Sequence, residues 1–434
     1  MKQNVTENII SQTEDLRQRD RANLWHPLTQ HKTHASPLPI VRAKNCILYD
    51  AEGNEYIDAI SSWYTSVYGH CNRYITKKVS AQMQNLDQIV FSGFTHKPAI
   101  ELSEKLLAIL PKNQKKLFFS DNGSTSVEVA IKMALQFHFN KGEKKSVLLA
   151  FENGFHGDTF GAMSVSGLSV YNGPFSDFSL EVARLPVPNG ENLDEILHKL
   201  ENLNSLKEIA AFIYEPLVQG AAAMRMYSQD ALESILKICK DQKILTIADE
   251  VMTGFGKTGK NFASDHLETK PDIICLSKAL TAGLLPMGLT TCTNEIYQAF
   301  LSEDVSKGFF HGHTYSANPL ACVAAIAGIE LLTSDEIQKN IRAITKRHQT
   351  FQKKIETHNK VKEVRQLGVI LAIDLKIETD RYGPLRDKLY NYFMKEGIYL
   401  RPLGETIYIL PPYTISQGQL DKIYKTIEGL FSII

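Results

Sequence analysis

The sequence is short of the features that would mark a secreted, membrane-bound or nucleic-acid-binding protein. Its six cysteines (46, 71, 239, 275, 292 and 322) are scattered and form no C-x-x-C pair. That argues against a disulfide framework or a zinc site and fits a reducing cytoplasm. Neither sign of charge is in excess, with 48 Lys plus Arg against 48 Asp plus Glu, so nothing marks a surface for nucleic acid or an anionic membrane. No apolar segment of signal-peptide type follows Met1. The most apolar later stretch, Tyr315 to Leu332, is interrupted by Asn318, Pro319 and Glu330 and reads as a buried helix, not a membrane span. Repeats of solenoid period and low-complexity tracts are absent. These absences predict a soluble cytoplasmic protein. Its 434 residues, 43% hydrophobic and 22% charged, suit two domains.

The middle of the chain alternates short β-rich runs with helical stretches. Strands are predicted at Lys116–Ser120, Ser146–Phe151, Ile209–Glu215, Ile244–Asp249, Ile273–Leu276 and Leu289–Cys292, with helices such as Ser126–Asn140 and Asp230–Lys240 between them. The alternation predicts an α/β fold: a mostly parallel sheet flanked by helices, with ligands at the carboxyl ends of the strands. A hairpin is predicted over Cys46–Ile60. The last hundred residues read as a long polar helix and then strands at Val369–Leu375, Ile398–Arg401 and Thr406–Leu410. The expected organisation is a large domain over 71–334, with 1–70 joining 335–434 in a smaller α+β domain.

Two of these strands end in chemistry. Ile273-Ile274-Cys275-Leu276-Ser277 leads to Lys278, and Leu245-Thr246-Ile247-Ala248 leads to Asp249-Glu250. A lysine amine condenses with a carbonyl, and a carboxylate holds a protonated ring nitrogen. Together they suit pyridoxal phosphate, a cofactor that acts as an electron sink. A lysine at a strand mouth is partly desolvated, which lowers its pKa and makes it a nucleophile. After Asp249, the stretch Gly254-Phe255-Gly256-Lys257-Thr258-Gly259 suggests backbone held close to a ligand. Asp121-Asn122-Gly123-Ser124-Thr125-Ser126 leads from a strand into a helix. Its N–H groups, hydroxyls and dipole end can hold a phosphate, or it is a plain helix cap. In Phe151-Glu152-Asn153-Gly154-Phe155-His156-Gly157, Phe155 is placed to stack on a flat cofactor. His156, a lone histidine among glycines, reads as structural, and the proton-transfer role goes to Lys278.

These residues resemble the class III, fold-type I pyridoxal-phosphate aminotransferases, whose signature is similar to the span from Ile247-Ala248-Asp249-Glu250 through Lys278-Ala279-Leu280-Thr281-Ala282-Gly283. A narrower likeness is to the branch of that family that aminates 8-amino-7-oxononanoate. It rests on Leu24-Trp25-His26-Pro27, Ser61-Ser62-Trp63-Tyr64, His156 through Ser164, Glu215-Pro216 through Tyr227, His311-Gly312-His313-Thr314-Tyr315, Arg401-Pro402 and Pro411-Pro412-Tyr413. The resemblance implies that Lys278 carries the cofactor covalently and acts catalytically, and that Asp249 binds the pyridine nitrogen. It further implies that Gly123 and Ser124 hold the phosphate and that Phe155 covers the ring. His313 and Thr314 would reach the neighbouring subunit's phosphate in a homodimer. Trp63 and Gly312 would line the substrate pocket, and Arg401 would hold the keto acid's carboxylate, a role apt for a two-pronged donor.

Three positions depart from the pattern of that branch. Phe155 stands where a tyrosine is frequent, Leu28 where an aromatic reads the substrate, and Lys257 where an arginine is usual. They bear on the amino donor, which is S-adenosylmethionine in most of the branch and lysine in some relatives. Two rival expectations are an ω-aminotransferase of the ornithine or 4-aminobutyrate type and a non-catalytic cofactor-binding protein on the same fold.

Overall fold

Runs of Val, Ile, Leu and Phe a few residues long, too short for helices and closed by Gly, Asp or Ser, become strands. The computed structural model describes residues 2–33, 36–167, 173–204, 208–377, 379 and 383–434. Near the N-terminus three short strands, β1 (Ile40–Lys44), β2 (Ile47–Asp50) and β3 (Glu55–Asp58), form an antiparallel meander. The Asp50 carboxylate shapes the turn between β2 and β3 by accepting the N–H groups of Glu52 (3.0 Å) and Asn54 (2.8 Å). The predicted hairpin is therefore present. β1 adds a strand to it that the sequence did not announce, because most of its side chains are exposed.

Seven strands build the central sheet: β4 (Gln114–Ser120), β5 (Val147–Phe151), β6 (Val182–Leu185), β7 (Ile209–Tyr214), then, past the small hairpin of β8 (Val218–Gln219) and β9 (Arg225–Met226), β10 (Leu245–Asp249), β11 (Ile273–Leu276) and β12 (Gly288–Thr293). Their order is β4-β12-β11-β10-β7-β5-β6. Only β12 runs against its neighbours, so the other six end at one edge. This is the mostly parallel, helix-flanked sheet that the alternation predicted. Every side chain of β7 and β11 is buried, as both faces of such a sheet are covered.

Helix Gly123–Asn140 crosses one face and buries Val127, Ala130, Ile131, Ala134 and Phe137 against the sheet. Helix Pro319–Leu332 is apolar nearly all round because it packs between helices Arg73–Met83 and Lys97–Ile109. No described helix is long and apolar enough to cross a membrane.

Toward the C-terminus, after helix Asp335–Ile355, come β13 (Val361–Leu367), β14 (Ile370–Leu375), β15 (Ile398–Tyr399) and β16 (Thr406–Ile409). β13, β14 and β16 form a small antiparallel sheet, whereas β15 returns to pair in parallel with β3. That pairing sets Asp58 opposite Tyr399, so the segments leaving β3 and β15 run on side by side. Trp63 and Arg401 lie on those two segments.

Candidate active site

The shared edge of the sheet opens into a cavity of about 840 Å³. Each strand delivers a piece of its wall. β4 leads to Asn122, Gly123 and Ser124, β5 to Phe155, His156 and Gly157, β7 to Glu215, β10 to Asp249 and β11 to Ser277 and Lys278. Leu28, Trp63 and Tyr64 close it from the N-terminal segment.

The phosphate-sized corner is a helix N-terminus. Asn122 caps helix Gly123–Asn140 by accepting the Thr125 N–H (2.9 Å), and the Thr125 hydroxyl returns a capping-box bond. The first N–H groups of the helix have no carbonyl in their own helix to reach, and the helix dipole adds positive potential there. Space is tight. A Cβ at Gly123 would come within 2.8 Å of Val251, and one at Gly157, whose φ is +133°, would run into Ser124. The helix-cap reading and the anion-cradle reading thus describe the same turn.

Across the cavity, Asp249 is buried and fully engaged. Its Oδ1 accepts the Val251 N–H (3.1 Å), and its Oδ2 lies 2.7 Å from His156 Nδ1. His156 is itself buried, with its N–H bonded to Ser166 Oγ (2.8 Å). The histidine is structural in the sense that matters: it orients the carboxylate.

Lys278 sits two residues beyond the end of β11, after Ser277, in a single 3-10 turn, with a φ of 49°. Its Nζ lies 5.0 Å from the centre of the Tyr64 ring. Burial pulls the amine below its ordinary value, while the charges of Asp249 and Glu215 oppose the shift. Glu215 is a carboxylate that the sequence reading left without a role. Its oxygens accept the Phe155 N–H (3.0 Å) and the Gly220 N–H (2.9 Å), tying the loop after β5 to the hairpin β8–β9. Burial still pushes its carboxyl up to about 7, with Asp249 adding to the rise.

The rim is built on unusual backbone. Ser61, Ser62, Trp63 and Tyr64 have φ values of 50°, 45°, 70° and 72°. Four successive left-handed residues that are not glycine cost about 1–2 kcal/mol each, so the surroundings must hold them. The turn presents Trp63 to the cavity, and the Arg401 guanidinium lies 4.7 Å from the centre of its ring.

Of the residues expected from sequence, Leu28, Trp63, Gly123, Ser124, Phe155, Asp249 and Lys278 all line this cavity. Arg401 reaches it only through Trp63. Gly312, His313 and Thr314 are not part of its wall: His313 Nδ1 is 3.2 Å from Asp121, and the Thr314 carbonyl accepts from Gln88 (3.0 Å). Lys257 is fully buried, and its Nζ donates to the Gly254 carbonyl (2.9 Å). Tyr64 and Glu215 lie within the Ser61-Ser62-Trp63-Tyr64 and Glu215-Pro216 segments, but only the fold shows what they touch.

The arrangement fits pyridoxal phosphate: a desolvated amine, a histidine-held carboxylate, a tight helix N-terminus and an aromatic side chain, Phe155, line one cavity. A profile of the family described as Aminotransferase class-III matches residues 28–431. An adenosylmethionine-8-amino-7-oxononanoate aminotransferase of Synechococcus elongatus is 41% identical, over 95% of this chain and 99% of its own length. The crystal structure of the enzyme so named from Methanocaldococcus jannaschii superposes with a TM-score of 0.90 at 33% identity, over 96% of this chain and 99% of that one. An amine transaminase from an uncultivated Pseudomonas species, solved with PLP bound, gives 0.88 at 28% identity, over 94% and 98%. Fold and cofactor expectations are thereby borne out, and the chain belongs to the class III aminotransferases, pyridoxal-phosphate enzymes of fold-type I.

Proposed function

We propose that this aminotransferase converts 8-amino-7-oxononanoate to 7,8-diaminononanoate, a step of biotin biosynthesis, with S-adenosylmethionine as the amino donor. The observation that carries the reading is the composition of the cavity wall. A lysine with a desolvated amine and a histidine-held aspartate line it, and Trp63, backed by Arg401, forms the rim where a keto acid's carboxylate would enter. The names of the relatives supply the substrate.

Gly123 and Ser124 would hold the phosphate, Phe155 would cover the ring, and Asp249, steadied by His156, would keep the ring nitrogen protonated. When bound, the cofactor supplies an electron sink that stabilises negative charge on the carbon bearing the amine. Lys278 is the covalent anchor and the base. Desolvation favours its neutral amine, so its Nζ would be suited to hold and move a proton at the substrate carbon.

The enzyme acts as a cytoplasmic homodimer in this reading. Gly312, His313 and Thr314, which lie off their own cavity between the exposed Phe310 and Tyr315, would complete the cavity of a second copy. Residues 1–70 and 335–434 would form the smaller domain beside the large one over 71–334, a division the β3–β15 pairing supports.

The test is a spectral titration of the cofactor-loaded protein with S-adenosylmethionine and, separately, with lysine. One donor should bleach the cofactor's absorption band, and 8-amino-7-oxononanoate should restore it. If neither donor bleaches the band while a simple amine or 4-aminobutyrate does, the substrate assignment fails and an ω-transaminase takes its place.

A further inference from the structure

The left-handed turn Ser61–Tyr64 needs something to hold it, and the structure shows what does. Asp58, at the end of β3, is fully buried. Its Oδ1 accepts the Ile60 N–H (3.1 Å), and its Oδ2 accepts the Ser62 hydroxyl (3.1 Å) and lies 2.8 Å from His70 Nε2. His70 Nε2 is also 3.3 Å from Ser62 Oγ, so aspartate, histidine and serine close a triangle on the turn. The far side is pinned by Ser61 Oγ, which donates to the Leu410 carbonyl (2.8 Å), and by the Tyr64 hydroxyl, which donates to the Tyr408 hydroxyl (3.0 Å). Two residues of the turn face the chemistry: Trp63 meets the cavity and Arg401, and Tyr64 lies beneath Lys278.

We propose that Asp58 and His70 are positioning residues for the active site: they hold the strained 61–64 turn that places Trp63 at the substrate rim. The physical reason is that a left-handed run of ordinary residues relaxes unless its surroundings fix it, and strain of this kind gathers where a side chain must be aimed. His70 touches neither the cavity nor Arg401, so it acts only through Ser62 and Asp58. A buried carboxylate that accepts from three donors, here the Ile60 N–H, the Ser62 hydroxyl and His70, keeps its geometry only while those donors remain. The inference rests on the proposed role of Trp63 at the substrate rim, so the test includes a readout that needs no substrate.

The chain has two tryptophans, Trp25 and Trp63. In the cofactor-loaded Trp25→Phe protein, emission reports Trp63 alone. His70→Ala should red-shift that emission and raise KM for 8-amino-7-oxononanoate at least about tenfold. Pyridoxal-phosphate retention should stay within about twofold, because the Gly123–Ser124 corner is untouched. His70→Gln, whose Nε2 replaces the lost donor, should restore both emission and KM to within about threefold. If His70→Ala does not fold, Ser62→Ala, which removes one side of the triangle, should shift emission and KM in the same direction. The proposal is overturned if His70→Ala, or Ser62→Ala in its place, lowers the melting temperature while emission and KM stay as in the parent. It is equally overturned if His70→Gln falls as far as His70→Ala. If the parent does not turn over 8-amino-7-oxononanoate, the substrate reading fails, and the emission comparison still decides the role of His70.

Discussion

The segments that leave β10 and β11 each carry a desolvated lysine, but Lys257 is fully buried whereas Lys278 is half-buried at the cavity. Lys257 follows β10 through a glycine-rich turn, and Lys278 follows β11 after a single residue, Ser277. Burial draws both amines down, Lys257 well below its ordinary value, with the charge of Lys278 adding to the effect. Lys257 is bonded to the Gly254 carbonyl and lies outside the cavity wall. The buried carboxylate whose charge it feels, Glu250, is occupied by the Thr253 hydroxyl (2.6 Å) and the N–H groups of Ala263 (3.0 Å) and Ser264 (2.7 Å). Lys278 instead lines the cavity and feels Asp249 and Glu215. Desolvation alone makes an amine neutral. Only access to a carbonyl makes it a nucleophile.

The sharpest break in this comparison is Lys278→Ala. Turnover should fall by about a thousandfold or more, in line with losing both anchor and base, while the phosphate corner still retains cofactor. Steady-state rates and equilibrium dialysis of the same variant check both halves. Retained activity would leave Lys257 or another amine as the anchor.

Glu215 sharpens the contrast through pH. Its carboxyl is raised from 4.5 to about 7, so between those values the folded protein binds more protons at this site than the unfolded chain does. Stability must then fall as pH rises from about 4.5 to about 7 and level off above. Glu215→Gln removes this dependence. Relative to the variant, the wild type should lose about 2 kcal/mol between pH 5 and pH 7.5, read by urea unfolding at those two values. Parallel pH profiles for the two proteins would mean that Glu215 ionises normally.

The smallest effect belongs to Lys257→Met. One hydrogen bond, to Gly254, is lost at about 1 kcal/mol, and removing a buried amine offsets it. Stability should stay within about 1 kcal/mol of wild type, and cofactor loading should be unchanged. Loss of loading would erase the distinction between the two lysines.

What the sequence made legible follows from where the information sits. β7, β10 and β11 are apolar runs buried on both faces, so their residue types announce them. β6 (Val-Ala-Arg-Leu) escaped because it is an edge strand, half-buried over three of its four residues. Helix Gly123–Asn140 begins three residues before its predicted start because Gly-Ser-Thr reads as turn until the Asn122 cap is seen. Lys278, Asp249 and Gly123 were readable because each stands where a strand ends. The clasp of Glu215 on Phe155 spans 60 residues, and the Asp58–His70 bond braces a left-handed turn that Ser-Ser-Trp-Tyr does not advertise. Contacts of that kind belong to the fold, not to any local pattern.

One measurement addresses the central claim directly: borohydride reduction of the cofactor-loaded protein, proteolysis, and mass spectrometry of the peptides. The account predicts a pyridoxyl group on Lys278 and an unmodified Lys257. A pyridoxyl group on Lys257, or on any lysine other than Lys278, would contradict it.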